Sequence, residues 1–352
     1  MNTSEIAKIL GISRGTVSRV INHNPNVKPE TREMVLKALE EYGYKPNETA
    51  RSLVMKRSFR IAVVVFSEPV FFWKQVEQGV TSAGDELKFL GLEVDYFPTD
   101  ILNPREQLEL LQRLPEEGYD GIIVAPNDPA LLAEEIDRLS SRGIPVVLIN
   151  VEIPSANQLC YIGCDYVQAG ALAGELMARN IGMRGNVAVL ALRDAVVAID
   201  QRITGFRREL AKYPDIQITQ VARFPRTTEG VYEEVLHMLQ NAPELSGIFV
   251  SFAGLEQTAL ASLDARVPRT FSIIGYDLNQ DIAEYLKKGI LSCTICHEPF
   301  QQGYLSVRTL YRYLSSGSLP PSSVLYTKLE AVFANNVKCY LNSPLSIPFG
   351  KG

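Results

Sequence analysis

A group of hydrogen-bond donors near the start of the chain is the first pattern with clear chemistry. The donors are Arg14, Thr16, Ser18, Arg19 and Asn22. Apolar residues are interleaved with them at helical spacing, at Val17, Val20 and Ile21, so the predicted helix keeps the donors off its apolar face. Such side chains suit base edges and phosphates. The pattern predicts a helix that contacts DNA. Gly15 offers no side chain there, so we expect Arg14 to carry more of the specificity.

The segments around this helix predict a small all-α domain. Ile6, Ile9 and Leu10 have helical spacing, which indicates a preceding helix from Thr3 to Leu10. The turn Gly11-Ile12-Ser13 follows, and Ser13 is a natural N-cap for the second helix. Two short helices joined by a three-residue turn make the helix-turn-helix plan. A third helix is expected over residues 29–42, with Val35, Leu36 and Leu39 facing inward.

The distribution of charge supports DNA contact through one end of the chain. The 352 residues carry a net charge of −5. Residues 1–58 hold ten basic and six acidic residues, a net charge of +4, and the remainder carries −9. A small basic module on an acidic body fits this picture. Lys8, Arg32 and Arg51 are the expected phosphate contacts.

From Phe59 onward, apolar runs alternate with amphipathic stretches. Runs such as Ile61–Val65 and Val187–Leu192 predict strands of parallel sheets covered by helices. A weak repeat is also present, because Ile61 and Gly121 are 60 positions apart, as are Val187 and Gly247. We therefore expect two doubly wound α/β lobes, with ligands bound between them at the carboxyl ends of the strands.

Polar and aromatic residues at those predicted strand ends are the candidate ligand contacts. Aromatic faces suit the C–H patches of a sugar, and bidentate polar groups suit its paired hydroxyls. The candidates are Phe72, Trp73, Asp128, Asn150, Arg202, Phe252, Asp277 and His297.

The sequence gives little support for an enzyme. It contains no P-loop, GxGxxG or HExxH motif and only three histidines. The GxSxG at Gly11 to Gly15 lies between two short helices, whereas a nucleophile elbow follows a strand. His297 and Glu298 are adjacent in a predicted strand and so point apart. For the same reason Cys293 and Cys296, three apart, are expected to be separate thiols. We predict no catalytic residues, metal or cofactor.

The N-terminal segment resembles the DNA-binding domain of the lactose-repressor (LacI/GalR) family of bacterial transcription regulators. The matching text is Ile6-Ala7-Lys8, Gly11-Ile12-Ser13, Thr16 to Asn22, Pro29-Glu30-Thr31-Arg32, Tyr42 to Asn47 and Ala50-Arg51-Ser52-Leu53. The resemblance implies a ligand-responsive repressor that binds a pseudo-palindromic operator as a homodimer. It also implies a hinge in which Leu53 wedges into the minor groove, although simple packing of Leu53 within the hinge is the alternative.

Residues 59–340 resemble, more loosely, the periplasmic sugar-binding core of the same family. The resemblance makes Arg202 and Asp277 ligand contacts and Phe72 and Trp73 stacking aromatics. The chain departs from the family at Val70, Asn150-Val151, Phe252 and His297, where relatives carry Asn, Asp-Arg, Asn or Asp, and Gln. Fewer polar groups indicate a less hydroxylated ligand. A sugar or polyol remains the expected effector, and a purine-like ring is the open alternative.

Together these patterns predict the domain boundaries. A DNA-binding domain at 1–46 precedes a hinge helix and linker at 47–58, an effector core at 59–342 and a tail at 343–352. Lobe 1 is expected at about 59–162 and 293–322, and lobe 2 at about 163–292 and 323–342. The absence of a signal peptide and of a long apolar run predicts a cytoplasmic protein. It also disfavours a plain solute-binding protein.

Overall fold

The computed structural model describes residues 3–21, 27–42, 58–194, 196–268 and 270–341. The chain divides into two units, Met1–Ser58 and Phe59–Gly352. Several predicted features lie outside the described residues: Asn22, Arg51, Leu53, most of the hinge at 47–58 and the tail at 343–352.

The first unit contains the three predicted helices, α1 (Thr3–Ile9), α2 (Arg14–Ile21) and α3 (Pro29–Glu41). Ser13 caps α2, because its Oγ accepts a hydrogen bond of 3.1 Å from the backbone N–H of Thr16. The core of this unit contains the buried side chains of Ile6, Ala7, Val17, Val20, Val35 and Ala38.

One of the apolar residues predicted to face inward in this unit is instead half exposed. Leu36 is 47% exposed. On α3 the core position after Val35 is Ala38, because residues three apart share a helix face whereas adjacent residues are rotated by about 100°. Leu36 therefore lies off the buried face of α3, and the prediction that it faces inward was wrong.

The second unit contains two six-stranded sheets, each covered by helices. The strands are β1 (Phe59–Phe66), β2 (Leu92–Thr99), β3 (Gly121–Val124), β4 (Val146–Ile149), β5 (Cys160–Gly163), β6 (Gly185–Leu192), β7 (Ile216–Phe224), β8 (Leu245–Val250), β9 (Ser272–Tyr276), β10 (Cys293–Cys296), β11 (Val324–Tyr326) and β12 (Glu330–Val332). The helices are α4 (Val70–Leu87), α5 (Pro104–Arg113), α6 (Pro129–Ser141), α7 (Tyr166–Asn180), α8 (Val197–Leu210), α9 (Val231–Asn241), α10 (Leu255–Asp264), α11 (Gln280–Lys287), α12 (Pro299–Ser316) and α13 (Val337–Leu341), with a short 3₁₀ turn at Lys88–Leu90.

The two sheets have the same plan, as the internal repeat predicts. The first has the strand order β11-β5-β4-β3-β1-β2, and the second β12-β10-β9-β8-β6-β7. Ile61 is the register partner of Gly121, and Val187 is the register partner of Gly247. The 60-residue spacings therefore join neighbouring strands in each lobe. All pairs are parallel except that of β10 with β12.

The predicted assignment of β10 and β11 to the lobes was wrong. Cys293 pairs with Ile274 of β9, so β10 extends the second sheet, and Val324 pairs with Tyr161 of β5, so β11 belongs to the first. The chain crosses between the lobes after β10, at His297 and Glu298, and not before it. Lobe 1 therefore contains 59–163 and 299–326, and lobe 2 contains β6 to β10 and β12.

Glycines set the distance between α4 and α12, two of the helices that cover lobe 1. A Cβ added to Gly79 would lie 2.0 Å from the carbonyl oxygen of Phe300, and a Cβ added to Gly303 would lie 2.2 Å from that of Val76. Both distances are far below van der Waals contact, so any side chain would push the helices apart. The close crossing therefore requires glycine at both positions.

Replacement of Gly79 by alanine tests this close crossing. We expect Gly79→Ala to lower the free energy of unfolding by about 1–3 kcal/mol, because the added methyl group forces the helices apart. Gly84→Ala is the matched control on the same helix, since its Cβ would meet Val94 at an ordinary 3.5 Å and alanine favours the helix. Urea unfolding of the full chain measures both. Equal transitions for the two variants would contradict the packing argument.

Candidate functional site

In the first unit, the candidate DNA contacts of α2 are accessible. Arg14, Gly15 and Arg19 are exposed, and Thr16 is half-buried. The hydroxyl groups of Thr16 and Ser13 lie 2.9 Å apart, so Thr16 takes part in the helix cap as well as facing the surface. Elsewhere in this unit, Lys8 is exposed and Arg32 is half-buried. The side chain of Ser18 lies outside the described set.

In the second unit, a cavity of about 450 Å³ lies between the two lobes at the carboxyl ends of the strands. Most of the predicted ligand contacts line it, and they come from both lobes. These residues are Phe72, Trp73, Asn150, Arg202, Phe252, Asp277 and His297. The structure therefore brings together in one cavity residues that are up to 225 positions apart in the chain.

Asp128 was the exception among the predicted contacts. Its carboxylate caps α6, accepting hydrogen bonds of 3.0 Å from the N–H of Ala130 and 3.1 Å from that of Leu131. Asp128 is therefore the N-cap residue of α6, directly before Pro129 in the first turn of that helix. The neighbouring Asn127 lines the cavity in its place.

Arg202 is the principal buried charge of the cavity, with 6% of its surface exposed. It lies on α8, in the same lobe as Asp277, so its predicted placement at a strand end was wrong. Its Nη1 donates to the carbonyl oxygen of Ser251 at 3.0 Å, and its guanidinium lies 3.7 Å from the ring centroid of Tyr276. Among the described residues its Nε has no hydrogen-bond partner. This N–H is itself buried, and the side chain of Arg202 lines the cavity.

The position of Arg202 depends on a second close helix crossing, between α7 and α8. A Cβ on Gly170 would lie 1.9 Å from the carbonyl oxygen of Arg202 itself, and a Cβ on Gly205 would lie 1.9 Å from that of Val167. The backbone that carries Arg202 is thus held against α7 by two glycines.

His297 connects Arg202 to both lobes. Its Nε2 lies 3.0 Å from Asp277 Oδ1 and 3.3 Å from Arg202 Nη2, both in lobe 2. Its Nδ1 lies 3.1 Å from Gln302 Nε2 on α12 of lobe 1, and its ring lies 5.0 Å from that of Phe72. Burial alone would lower the pKa of His297, but Cys164 and the Asp277 carboxylate outweigh it and raise that pKa to about 9.

Aromatic rings form one wall of the cavity. Trp73 is 4% exposed and makes edge contacts with Phe66 at 5.0 Å and with Phe72 at 4.9 Å. Its indole N–H donates to the carbonyl oxygen of Glu68 at 2.9 Å, so the ring has a fixed orientation. Trp73 is thus a packed core residue and a cavity residue at once.

Arg226 and the first residues of α8 line the cavity, but the sequence did not predict them as ligand contacts. Arg226 follows β7 in lobe 2, and its Nη1 donates at 2.8 Å to Asn127 Oδ1 in lobe 1. This hydrogen bond crosses the cleft between the lobes. The alternating sequence of β7 could have indicated this strand and, with it, Arg226. The burial of β7 alternates in the same way, because one of its faces is open to solvent.

The described residues give no sign of a metal centre or a membrane span. They contain no group of three or more His, Cys, Asp or Glu side chains that could hold a metal ion. Within the same ranges, no helix is long and apolar enough to cross a membrane. Cys293 and Cys296 are free thiols, and burial raises the pKa of Cys293 to about 12.

Comparisons with known proteins match both units. The family described as bacterial regulatory proteins, lacI family, matches residues 3–47, and the periplasmic binding protein domain family matches residues 61–318. Catabolite control protein A of Priestia megaterium is 26% identical over 327 residues, which cover 91% of this chain and 94% of that protein. The HTH-type transcriptional regulator DegA of Bacillus subtilis (strain 168) is 30% identical over 296 residues, which cover 80% of this chain and 82% of that protein.

A solved structure supports the same fold for the second unit. The solute binding protein of an ABC transporter from Burkholderia graminis C4D1M, in complex with D-arabinose, aligns with a TM-score of 0.75 at 23% identity. The alignment covers 82% of this chain and 99% of that one. The relatives of the whole chain are regulators and not enzymes, as the sequence predicts. The chain therefore belongs to the lacI family of bacterial regulatory proteins, as a transcriptional regulator whose helix-turn-helix domain precedes a ligand-binding domain of periplasmic-binding-protein type.

Proposed function

We propose that this regulator is a repressor that binds a pseudo-palindromic operator as a homodimer and is switched by a small molecule in the cleft between its lobes. The observation that carries the proposal is the buried Arg202, whose side chain lines a cavity built from both lobes. A ligand that fills this cavity contacts both lobes at once, so its binding energy depends on the angle between them.

The DNA-binding part of the proposal rests on α2. Arg14 and Arg19 are exposed cations on a helix whose other face is buried, the arrangement of a recognition helix in a helix-turn-helix protein. Two copies in a homodimer would present α2 to successive major grooves about one helical turn apart. Gly15, Thr16, Ser18 and Asn22 complete the proposed base-contacting set, Lys8, Arg32 and Arg51 contact phosphates, and Leu53 enters the minor groove.

We propose a sugar or polyol as the effector. The support is the donor and acceptor pair formed by Arg202 and Asp277, together with the rings of Phe72 and Trp73 on the facing wall. The structural neighbour with D-arabinose shares the fold and adds support by analogy. In this arrangement Asn150, Phe252 and His297 complete the contacts.

A purine-like effector is the second candidate, and the apolar lining favours it. Phe66, Phe72, Trp73 and Phe252 offer aromatic surface to a flat ring, and few polar side chains accompany them. Arg202 and Asp277 would then meet the donor and acceptor edge of the ring.

His297 gives the cleft a link between the lobes that does not depend on the ligand's identity. Asp277 of lobe 2 lies 3.0 Å from Nε2 of the ring and can accept its proton, and Gln302 of lobe 1 donates its amide N–H to the His297 carbonyl oxygen at 3.0 Å. The pKa of His297 is raised to about 9, so the folded protein prefers the protonated ring. Its stabilising contribution is complete below about pH 6.5 and is lost as the pH rises through 9.

Operator binding is tested by selecting double-stranded DNA from a random pool and measuring affinity by fluorescence anisotropy. We expect a palindromic consensus, with affinity that falls steeply between about 50 and 200 mM salt. Arg14→Ala and Arg19→Ala should each weaken binding by about 1–3 kcal/mol. Arg179→Ala is the matched control, because Arg179 is an exposed arginine of the second unit, paired with Glu175. A random selected pool, or wild-type affinity in both α2 variants, would contradict the proposal.

The protonation of His297 is tested by thermal unfolding as a function of pH. The wild-type midpoint should fall between about pH 6.5 and 9, because the proton bound by the folded state is lost over this interval. In His297→Gln the decline should be smaller, whatever the variant's absolute stability. Parallel curves for the two proteins would show that His297 does not titrate in this range.

A further inference from the structure

Asn127 holds a hydrogen-bond acceptor whose direction is fixed by lobe 1. Asn127 is 6% exposed, and its Nδ2 donates to the carbonyl oxygen of Ile101 at 2.8 Å and to that of Asp100 at 3.3 Å. Both protons of the amide are thereby used, and a reversed amide would place its oxygen against two carbonyl oxygens. The Oδ1 atom of Asn127 is therefore left as an acceptor with a fixed orientation.

The backbone of Asn127 is fixed as well, by Gln107 on α5. Gln107 is fully buried, and its Oε1 accepts from the N–H of Asn127 at 2.9 Å. Its Nε2 donates to Thr99 Oγ1 at 3.1 Å and to the carbonyl oxygen of Ala125 at 3.0 Å. Because the oxygen and both amide protons of Gln107 have partners, this network stabilises one position of Asn127.

Arg226 of lobe 2 provides the donor for this acceptor. Its Nη1 lies 2.8 Å from Asn127 Oδ1, the short distance of a charge-assisted hydrogen bond. Within its own lobe, its Nε lies 3.9 Å from Asp194 Oδ2, which is beyond hydrogen-bond length, and the Asp194 side chain is 67% exposed. Solvent screens such an ion pair. The bond across the cleft is therefore the stronger of these two interactions of Arg226.

The position of this bond gives it leverage over the angle between the lobes. The chain crosses between the lobes after β5, β10 and β11, which are first or second from one edge of their sheets. Arg226 follows β7, the strand at the opposite edge of the second sheet. The hydrogen bond from Gln302 to the carbonyl oxygen of His297, in contrast, lies at a crossing itself. A bond far from the crossings resists opening of the cleft more strongly than one beside them.

We propose that Arg226 and Asn127 form a latch between the lobes, with Arg226 as a positioning residue that favours the lobe angle of this structure. The latch consists of protein atoms alone, so it acts whichever effector fills the cavity. Both residues line that cavity, and an effector that contacts both lobes binds the latched arrangement. The latch therefore raises the affinity of such an effector by increasing the population that can bind it. This effect on affinity rests on the proposed function, whereas the latch itself does not.

Energy transfer across the cleft tests the latch without any ligand. The chain has one tryptophan, Trp73 in lobe 1, which serves as the donor. Glu229 is exposed in lobe 2, so Glu229→Cys carries a dansyl-type acceptor, and Cys339→Ser removes the exposed native thiol. Donor lifetimes of the full chain, referenced to the unlabelled protein, resolve short and long distances. We expect Arg226→Ala to raise the ratio of long to short distances roughly tenfold, the effect of losing a hydrogen bond to a charged group.

A double-mutant cycle separates the latch from other roles of Arg226. In an Asn127→Ala background, Arg226→Ala should have little further effect, because the acceptor is already absent. Asp194→Asn is the matched control, since it removes the ion pair of Arg226 within lobe 2 and leaves the latch intact; we expect no increase in the long distances. An unchanged ratio in Arg226→Ala, the same change in both backgrounds, or an equal change in Asp194→Asn would overturn the inference.

Discussion

The second unit is organised around one buried charge. The guanidinium of Arg202 cannot leave water without partners, because an isolated buried ion is far costlier than a paired one. The fold supplies a carbonyl oxygen from Ser251 and the ring face of Tyr276, and the Asp277 carboxylate, bound to His297, is a nearby opposite charge. Among the described residues its Nε has no hydrogen-bond partner, and the side chain lines the space between the lobes.

The helices that carry the cleft residues are held in place by backbone contact. Gly170 and Gly205 let α8 approach α7 so closely that a methyl group at either position would strike a carbonyl oxygen. Gly79 and Gly303 do the same for α4 and α12. Since α8 carries Arg202, the geometry of the cleft depends on side chains being absent from these crossings. The contacts between the lobes include the hydrogen bonds of Gln302 to the His297 carbonyl oxygen and of Arg226 to Asn127.

Much of this arrangement could be predicted from the sequence, and the failures have physical causes. Buried parallel strands read as continuous apolar runs, so the α/β alternation and its repeat were visible. The edge strand β7 alternates in burial and was overlooked, and with it Arg226. The lobe of β10 could not be predicted, because a short apolar strand can extend either sheet.

Side-chain roles were harder to predict than elements. Asp128 and Asn127 are adjacent at the end of β3, and the choice between helix cap and cavity contact depends on backbone direction, which spacing does not give. The resemblance pointed to Arg202 and Asp277, yet their common lobe and the role of His297 between them became visible only in three dimensions.

The central claim is that the space facing Arg202 binds a small molecule, and the single tryptophan of the chain reports on it directly. Trp73 lines that space and has a fixed indole hydrogen bond. Its fluorescence is to be followed while sugars, polyols, sugar phosphates and purines are added to the wild-type protein and to Arg202→Gln. The account predicts a saturable change with one class of ligand in the wild type and a large loss of affinity in the variant. A saturable change of equal affinity in both proteins, or no response to any compound, would contradict it.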